Sequence, residues 1–523
     1  MIKKALTVFS QSLIATLALF LLLEGFFFTA GFPRGAARYI ETIVINKKLS
    51  VRKPNGETRV FAYGESTMHG SNYWPVSNLA LWLGAYLRDF LPGRNIRVVN
   101  FARMGQGANF VYESFRDTVD YKPDLAVFYL GHNAFLPDNR KWEIEVKEKK
   151  FNNQLRGLVQ NGRFISAIYR SVIAGRIRIK KNAPEDRIER PKIEMPLGAA
   201  LGPENAIPRT DPRTQENIGY FREQIVQILK LAEKKKIPVI FFKPAGNLKD
   251  FAPYGSAHLK KISAGDLTVW KDAYEKGQKA QEQENGGAAL DFYKQAYKID
   301  GTYADLSFRM GQLRLRQGDL KEAERLFTEA RDNDTITVRA TSDMVNVFPE
   351  LQKTYNFPLI DTGKILVPEA PGGILGEPIV EDNVHFSIKG HALLGRALAG
   401  EIYNQGWIAP KREWHFDRAR SFEEISKALG VTPDLLFSSY IKMVNYFGSR
   451  VDNRLRFAKK ALEIHPEDPT ALRHLAWTYW WMGKRAEAIQ EYRKLGKVSS
   501  QALEEVFKNE PEIKKAFEES EGE

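Results

Sequence analysis

A serine stands directly after a predicted buried strand, where its hydroxyl is placed to act as a nucleophile. The apolar run Val60–Tyr63 is broken by Gly64, and Ser66 follows at once. A hydroxyl held on the sharp turn after a buried strand is exposed and rigidly aimed, which nucleophilic catalysis requires. Because Gly-x-Ser is common, the meaning of this turn depends on the motifs that follow it along the chain.

Three further polar segments follow predicted strands. Asn100–Gly107 comes after the second strand, Gly131–Asn133 after the third, and Asp382–His385 after the last. In an open parallel sheet, ligands bind outside the carboxyl ends of the strands. All four segments, including the turn at Ser66, are therefore predicted to lie at one edge of the sheet.

The side chains of these segments are suited to acyl transfer. Ser66 would attack an acyl carbonyl, and His385 would take the serine proton and return it to the leaving group. Asp382, three residues earlier on the same loop, can fix the tautomer of the imidazole. The backbone N–H groups of Ser66 and Gly105 and the side-chain amide of Asn133 would donate hydrogen bonds to the oxyanion.

The ordered set Gly-x-Ser, Asn-x₄-Gly, Gly-x-Asn and Asp-x-x-His resembles the SGNH (GDSL-type) hydrolase superfamily. The resemblance covers roughly residues 57–255 and 336–408 and implies a flavodoxin-like, three-layer α/β/α fold. It implies Ser66 as nucleophile, Gly105 and Asn133 as oxyanion donors, and Asp382 and His385 as the rest of the triad. Three neighbouring positions differ from the family pattern, with Glu65 for Asp, Thr67 for Leu and Ala134 for Asp. None of them supplies a triad or oxyanion group, so these differences concern the substrate class.

The pattern of strands and helices independently favours a parallel sheet covered by helices on both faces. Near-continuous apolar runs are typical of strands that are buried on both faces. Helical patterns such as Asn78–Leu91 and Gln215–Lys236 lie between these runs, and the repeated β-then-α order is that of an α/β protein. The predicted strands are Arg59–Tyr63, Ile96–Phe101, Leu125–Leu130, Ile237–Lys243 and Phe357–Ile360.

An internal repeat interrupts this pattern. Gly277, Ala289, Tyr293 and Ala296 recur 34 residues later as Gly311, Ala323, Phe327 and Ala330. Stacked helix pairs need a small residue where the helices cross and an aromatic one nearby, so the segment resembles the tetratricopeptide repeat. A second block at about 451–495 has a similar pattern. Such helices are expected to dock a protein partner, and because the repeats are few, to pack on the main domain or on each other.

The predicted domain organisation follows from these motifs. It comprises a membrane anchor at 1–32, a linker at 33–56, the first part of the hydrolase domain at 57–260, inserted repeats at 261–335, the second part of the hydrolase domain at 336–410, and a helical C-terminal segment at 411–523.

After Lys3 and Lys4, the N-terminal stretch is apolar from Leu6 to Phe28, interrupted only by Ser, Thr and Gln residues and by Glu24 and Gly25. About 20 apolar residues span a bilayer core, so this stretch is long enough for a membrane anchor. A cleaved signal peptide is the alternative, but no clean small-x-small cleavage site follows. The preceding lysines would stay cytoplasmic, which predicts a single-pass protein of the inner membrane with its catalytic domain on the periplasmic side.

Composition and charge exclude several functions. The absence of cysteine excludes disulfides, thiolate catalysis and cysteine-based zinc sites. The net charge of +13 includes +9 from residues 140–192, which hold 15 Lys and Arg against 6 Asp and Glu. This basic segment is either a pair of solvated amphipathic helices or a lid near anionic lipid or polymer. We find no nucleic-acid-binding signature.

No cofactor or metal is predicted. Gly105-Gln-Gly107 lacks the third glycine and the acidic partner of a dinucleotide loop, and the histidines lack metal-binding spacing. His69 and His132 flank the site and either line the pocket or are solvated loop residues. The segment Pro244–Asn247, after the fourth strand, also lies at the active edge and either shapes the pocket or is a plain turn.

Three functional hypotheses remain. The first is a membrane-anchored serine esterase that cleaves an acyl or acetyl ester of a cell-envelope carbohydrate or lipid. The second is an O-acyltransferase that forms the same acyl-enzyme on Ser66 and passes the acyl group to a hydroxyl of an exported polysaccharide. The third is a non-catalytic scaffold whose repeats bind a partner, which the intact set of Ser66, Asp382 and His385 disfavours.

Overall fold

The computed structural model describes residues 38–148, 202–448 and 450–521, together with scattered positions between Ser12 and Phe26. Most of the predicted anchor lies outside these residues, and so does the basic segment beyond Glu148. Within the described part of the chain, no helix combines the length and the apolar character that crossing a membrane requires.

The central sheet has five parallel strands in the order β2-β1-β3-β4-β5. This is the strand order of flavodoxin-like folds, in which the ligand site lies between β1 and β3. Each predicted strand is confirmed to within a few residues. The strands are β1 (Glu57–Gly64), β2 (Asn95–Asn100), β3 (Leu125–Tyr129), β4 (Val239–Lys243) and β5 (Leu359–Asp361).

Helices cover both faces of the sheet, as the β-then-α pattern predicts. One face packs against α1, α4, α6 and α11. On the other face, α3 lies against β2, with Gly84 beside Val98, and α13 packs on α3. The helices of this part are α1 (Arg38–Asn46), α2 (Ser66–His69), α3 (Leu79–Phe90), α4 (Ala108–Thr118), α5 (Lys141–Glu148), α6 (Pro212–Lys235), α11 (Ser342–Gln352), α12 (Thr362–Leu366) and α13 (Ile388–Gln405), with α7 to α10 in the insertion described below.

A stack of aromatic rings on one face of the sheet fixes the central strands. The Tyr63 ring stacks on Phe101 at 5.5 Å and on Phe128 at 5.2 Å, measured between ring centroids. Phe128 in turn stacks on Phe241 of β4 at 4.7 Å. Because these rings bury large apolar areas in fixed relative positions, they hold the carboxyl ends of β1, β3 and β4 in register.

The insertion between β4 and α11 consists of two helix pairs. These are α7 (Ala264–Glu282) with α8 (Gly286–Ile299) and α9 (Ala304–Arg316) with α10 (Leu320–Asp332). A Cβ atom on Gly277 would lie 2.4 Å from the Tyr293 ring, and one on Gly311 would lie 2.8 Å from the Phe327 ring. The small and aromatic residues of the predicted repeat are therefore the contacts between the paired helices.

The described residues form two compact units. The first contains the sheet, its helices and the inserted repeats, up to residue 420. The second contains residues 70–77, 202–206 and the chain from 421 onward. Its helices are α14 (Phe422–Leu429), α15 (Pro433–Tyr446), α16 (Val451–Ile464), α17 (Pro469–Trp481), α18 (Arg485–Val498), α19 (Ser500–Asn509) and α20 (Pro511–Glu521).

Candidate active site

The loop that carries Asp382 and His385 forms a histidine–carboxylate pair. An antiparallel bridge between Val380 and Phe386 joins the two ends of the loop. Nδ1 of His385 lies 2.6 Å from Oδ2 of Asp382, while Oδ1 of Asp382 accepts the backbone N–H groups of Val384 and His385 at 2.9 and 2.7 Å. The side chain of Asp382 is fully buried. The carboxylate therefore orients the imidazole and the loop backbone together.

Electrostatics keep this carboxylate ionised. Burial acts to raise the pKa of Asp382, but the His385 imidazole and the hydrogen bonds from His385 and Val384 outweigh burial, so the pKa is lowered. An ionised Asp382 accepts a hydrogen bond from Nδ1–H of His385, and in that tautomer of the imidazole the lone pair is on Nε2. Among the described residues, Nε2 of His385 is buried and has no hydrogen-bond partner. The imidazole is thus oriented as a general base, but the serine–histidine hydrogen bond of a closed triad is not formed in this structure.

Ser66 begins α2 directly after β1, and its turn packs against the triad loop. A Cβ atom on Gly64 would lie 2.2 Å from the Tyr129 carbonyl oxygen, so only glycine allows β1 to end against β3 here. Oγ1 of Thr67 donates to the carbonyl of Val384 at 3.5 Å. The sequence predicts an exposed hydroxyl, yet Ser66 is only 8% exposed. The turn is recessed because neighbouring loops pack around it.

The loops after β2 and β3 carry the two predicted oxyanion donors. Gly105 is exposed and has φ = 69°, a left-handed conformation that favours glycine. Asn133 is buried, and its Nδ2 donates to the carbonyl of Gln106 at 3.0 Å. That bond uses one of the two hydrogens on Nδ2, so the second hydrogen is the one that could bind an oxyanion. The two predicted donors thus stand on neighbouring loops that are bonded to each other.

Glu65 anchors the loop that carries Asn133, a role that the sequence analysis missed. Its buried carboxylate accepts the backbone N–H groups of Gly131, His132 and Asn133 at 3.1, 2.9 and 3.1 Å. Burial raises the pKa of Glu65 to about 7, although the three hydrogen bonds act to lower it. Its place beside Ser66, where the family has an acid, was the signal that could have identified it.

Asn139 joins the two oxyanion loops and was not found from the sequence. Its Nδ2 lies 3.0 Å from the carbonyl oxygens of both Gly105 and Asn133. A Cβ atom on Gly107 would lie 2.9 Å from Cγ of Asn139, so the side chain is packed closely against the loop. A single buried asparagine in a loop has no distinguishing sequence signal, because its partners are backbone atoms 34 and 6 residues away.

The two flanking histidines are buried rather than solvated. His132 is 2% exposed, and its Nδ1 accepts the backbone N–H of Ala340 at 3.1 Å. The proton is therefore on Nε2, which lies 3.4 Å from the hydroxyl of Tyr129. Burial lowers the pKa of His132 to about 3, and the nearby His385 adds to the effect, so His132 stays neutral. His69 is 8% exposed and lies on α2.

Comparisons with known proteins give two kinds of similarity. Residues 280–335 match a family model of the tetratricopeptide repeat. A lipase/acylhydrolase from Enterococcus faecalis is 14% identical over 66% of this chain and 96% of its own, with a TM-score of 0.29. A GDSL-like lipase from Bacteroides thetaiotaomicron is 12% identical over 70% of this chain and 98% of its own, with a TM-score of 0.28. A tetratricopeptide-repeat protein from Thermus thermophilus is 16% identical over 45% of this chain and 94% of its own, with a TM-score of 0.14.

None of the curated proteins matches the sequence. The solved structures that the chain is similar to include acylhydrolases and repeat proteins.

Proposed function

We propose that this protein is a serine esterase of the SGNH type. Oγ of Ser66 attacks the ester carbonyl carbon while Nε2 of His385 takes the hydroxyl proton, and Asp382 stabilises the imidazolium. The tetrahedral oxyanion accepts hydrogen bonds from Gly105 and Asn133. The intermediate collapses when the alcohol oxygen leaves with the proton from His385. Water, deprotonated by the same imidazole, then releases the acid and restores the serine.

One observation carries this proposal. The 2.6 Å hydrogen bond between His385 and Asp382 lies in a loop whose Val384 carbonyl contacts Thr67, the residue after Ser66. An oriented histidine, on a loop that contacts the residue after a strand-end serine, supports the assignment of a general base and its nucleophile.

The first test uses a fluorophosphonate probe on the full-length chain, with intact mass and peptide mapping as readouts. We expect a single adduct on Ser66, no adduct in Ser66→Ala, and labelling slowed by at least about 10³-fold in His385→Ala, because the nucleophile then lacks its base. Equal labelling of wild type and His385→Ala, or no labelling while a known serine esterase reacts, would contradict the esterase and favour the scaffold.

The substrate class rests on the family resemblance. We propose an acyl or acetyl ester of a carbohydrate or lipid in the cell envelope. Incubation with acetylated oligosaccharides and short-chain acyl esters, followed by mass spectrometry, separates free acid from acyl groups transferred to a sugar hydroxyl. Free acid as the main product supports hydrolysis, and acylated sugar as the main product would replace it with transfer.

Membrane attachment and a periplasmic catalytic domain also belong to the proposal. They are supported by the apolar run from Leu6 to Phe28 after two lysines. The full chain is expected to sediment with membranes, to resist carbonate extraction, and to be cleaved by protease added to spheroplasts. Recovery in the soluble fraction would contradict the anchor. The repeats are proposed to bind a protein partner, as the matching family model suggests.

A further inference from the structure

The triad loop is bonded to both segments that connect the inserted repeats to the α/β domain. The entering segment runs from the end of β4 to α7, and the leaving segment from the end of α10 to α11. Asn383, between Asp382 and His385 in the chain, is the residue that both segments contact. Its side chain is 5% exposed.

The entering segment holds the backbone of Asn383. The backbone N–H of Asn247 donates to the carbonyl of Asn383 at 2.9 Å, and Nδ2 of Asn247 donates to Val380 at the base of the loop at 3.2 Å. Asn247 is fully buried. A Cβ atom on Gly246 would lie 2.8 Å from the Asn383 carbonyl oxygen, so the segment approaches the loop as closely as glycine permits.

The leaving segment holds the side chain of the same residue. Nδ2 of Asn383 donates to the carbonyl of Val338 at 3.0 Å. Two residues later, the backbone N–H of Ala340 donates to Nδ1 of His132, on the loop that carries Asn133. The leaving segment therefore contacts both the triad loop and the oxyanion loop.

Arg339 fastens the two segments to each other. Its Nη1 donates to the carbonyls of Asn247 and Phe251, at 2.8 Å in both cases, and its side chain is 3% exposed. Farther along, Asp334 accepts the backbone N–H groups of Tyr254 and Gly255 at 2.9 Å. Because the side chains of Arg339 and Asp334 are buried, breaking these bonds would leave buried polar groups poorly satisfied, so the base of the insertion is held stiffly.

We propose that Asn383 is a positioning residue through which the base of the repeat insertion sets the geometry of the triad. The inference rests on the proposed function of Ser66, His385 and Asp382. The loop's own bonds orient the imidazole relative to Asp382, but they do not fix where the loop stands relative to Ser66. The two bonds of Asn383 fix that position from the insertion side, and the contact of Val384 with Thr67 fixes it from the serine side.

The variant Asn383→Ala removes the bond to Val338 and keeps the backbone bond to Asn247. With the fluorophosphonate probe, we expect kinact to fall by about 10–100-fold while KI stays within about twofold, because a small displacement of catalytic groups affects the reacting step. Amide hydrogen exchange at Val384 and His385 is expected to accelerate. Asn453→Ala, at a buried asparagine of the C-terminal unit, is the matched control and should change neither readout.

A second variant covers the case in which Asn383→Ala fails to fold. Arg339→Lys keeps the charge but removes Nη1, the nitrogen that donates to the carbonyls of both Asn247 and Phe251. The same fall in kinact at constant KI is expected in the folded protein. A lower melting temperature with wild-type kinact would show that Arg339 has only a structural role, and it would overturn the proposed coupling between the base of the insertion and the triad.

The outcomes separate this inference from the proposed function. Wild-type labelling together with an unchanged kinact in Asn383→Ala overturns the positioning role and leaves the esterase standing. If wild type is not labelled, the esterase proposal fails, and hydrogen exchange then tests whether Asn383 holds the loop of Asp382 and His385 in place. Unchanged exchange at Val384 and His385 in Asn383→Ala overturns it, and faster exchange supports the physical coupling between loop and insertion.

Discussion

At the scale of single residues, Glu65 gives the site an electrostatic property that its motif does not reveal. Its carboxylate faces three backbone N–H groups, yet burial raises its pKa to about 7. An ionised carboxylate can accept all three bonds, whereas a protonated one turns an O–H toward a donor. The loop that carries Asn133 is thus best held when Glu65 is ionised, although ionisation costs folding stability.

This conflict predicts a pH dependence of stability. Because the pKa of Glu65 is raised from about 4.5 to about 7 on folding, its contribution to the free energy of unfolding is fully present below pH 4.5 and lost as the pH rises to 7. The stability of wild type relative to Glu65→Gln should fall by about 3 kcal/mol across that range. Urea denaturation at several pH values measures the difference.

A control variant and a contradicting outcome complete this test. Glu65→Asp keeps an ionisable carboxylate at the site and should retain the same direction of change. A stability difference between wild type and Glu65→Gln that stays flat or rises between pH 4.5 and 7 would show that the folded-state pKa of Glu65 is not raised.

At the scale of elements, the loops after β2 and β3 work as one unit because Asn139 bonds to both. Its amide donates to the carbonyls of Gly105 and Asn133, so one side chain holds the two predicted oxyanion donors in position relative to each other. Removing this side chain would loosen the loop of Gly105 in particular, since Gly105 has no side chain to hold it, whereas Glu65 still anchors the loop of Asn133.

We expect Asn139→Ala to lower kinact toward a fluorophosphonate by about tenfold or more, with KI little changed, because stabilisation of the oxyanion matters only as charge develops. Gly107→Ala should act in the same way, since the added Cβ would lie 2.9 Å from Cγ of Asn139 and displace it. A rise in KI at constant kinact for both variants would instead place Asn139 in substrate binding.

At the scale of the whole molecule, the repeats are built into the α/β domain and are not merely attached to it. The insertion leaves the sheet after β4 and returns before α11, and its two connecting segments bond to the loop of Asp382 and His385. A perturbation inside the repeats therefore has a physical route to Asp382 and His385, through the hydrogen bonds at the base of the insertion.

A matched pair of glycine substitutions tests this route. A Cβ atom on Gly311 would lie 2.8 Å from the Phe327 ring in the inserted repeats, and one on Gly496 would lie 2.8 Å from Leu503 in the C-terminal unit. Each overpacked variant should lose about 1–3 kcal/mol of stability. Only Gly311→Ala is expected to slow the labelling of Ser66, measured at a temperature where both variants are folded. Equal labelling rates in the two variants would contradict the coupling.

Several features of this protein follow from the sequence alone. Apolar runs and helical periodicity are local signals, so they predicted all five strands, the α/β class and the helix pairs around Gly277 and Gly311. The motif order predicted that the segments of Ser66 and His385 meet at one edge, because the carboxyl ends of parallel strands share an edge. The histidine–carboxylate pair was also local, since three residues separate Asp382 from His385.

Only the tertiary structure decided how these parts are held. Glu65, Asn139 and Asn383 act by bonding to backbone atoms of other segments, and a backbone N–H or carbonyl has the same chemistry at every position in the chain. Sequence therefore cannot tell which one a buried side chain will reach. The recessed position of Ser66 has the same origin, because burial is the sum of loops that converge from distant parts of the chain.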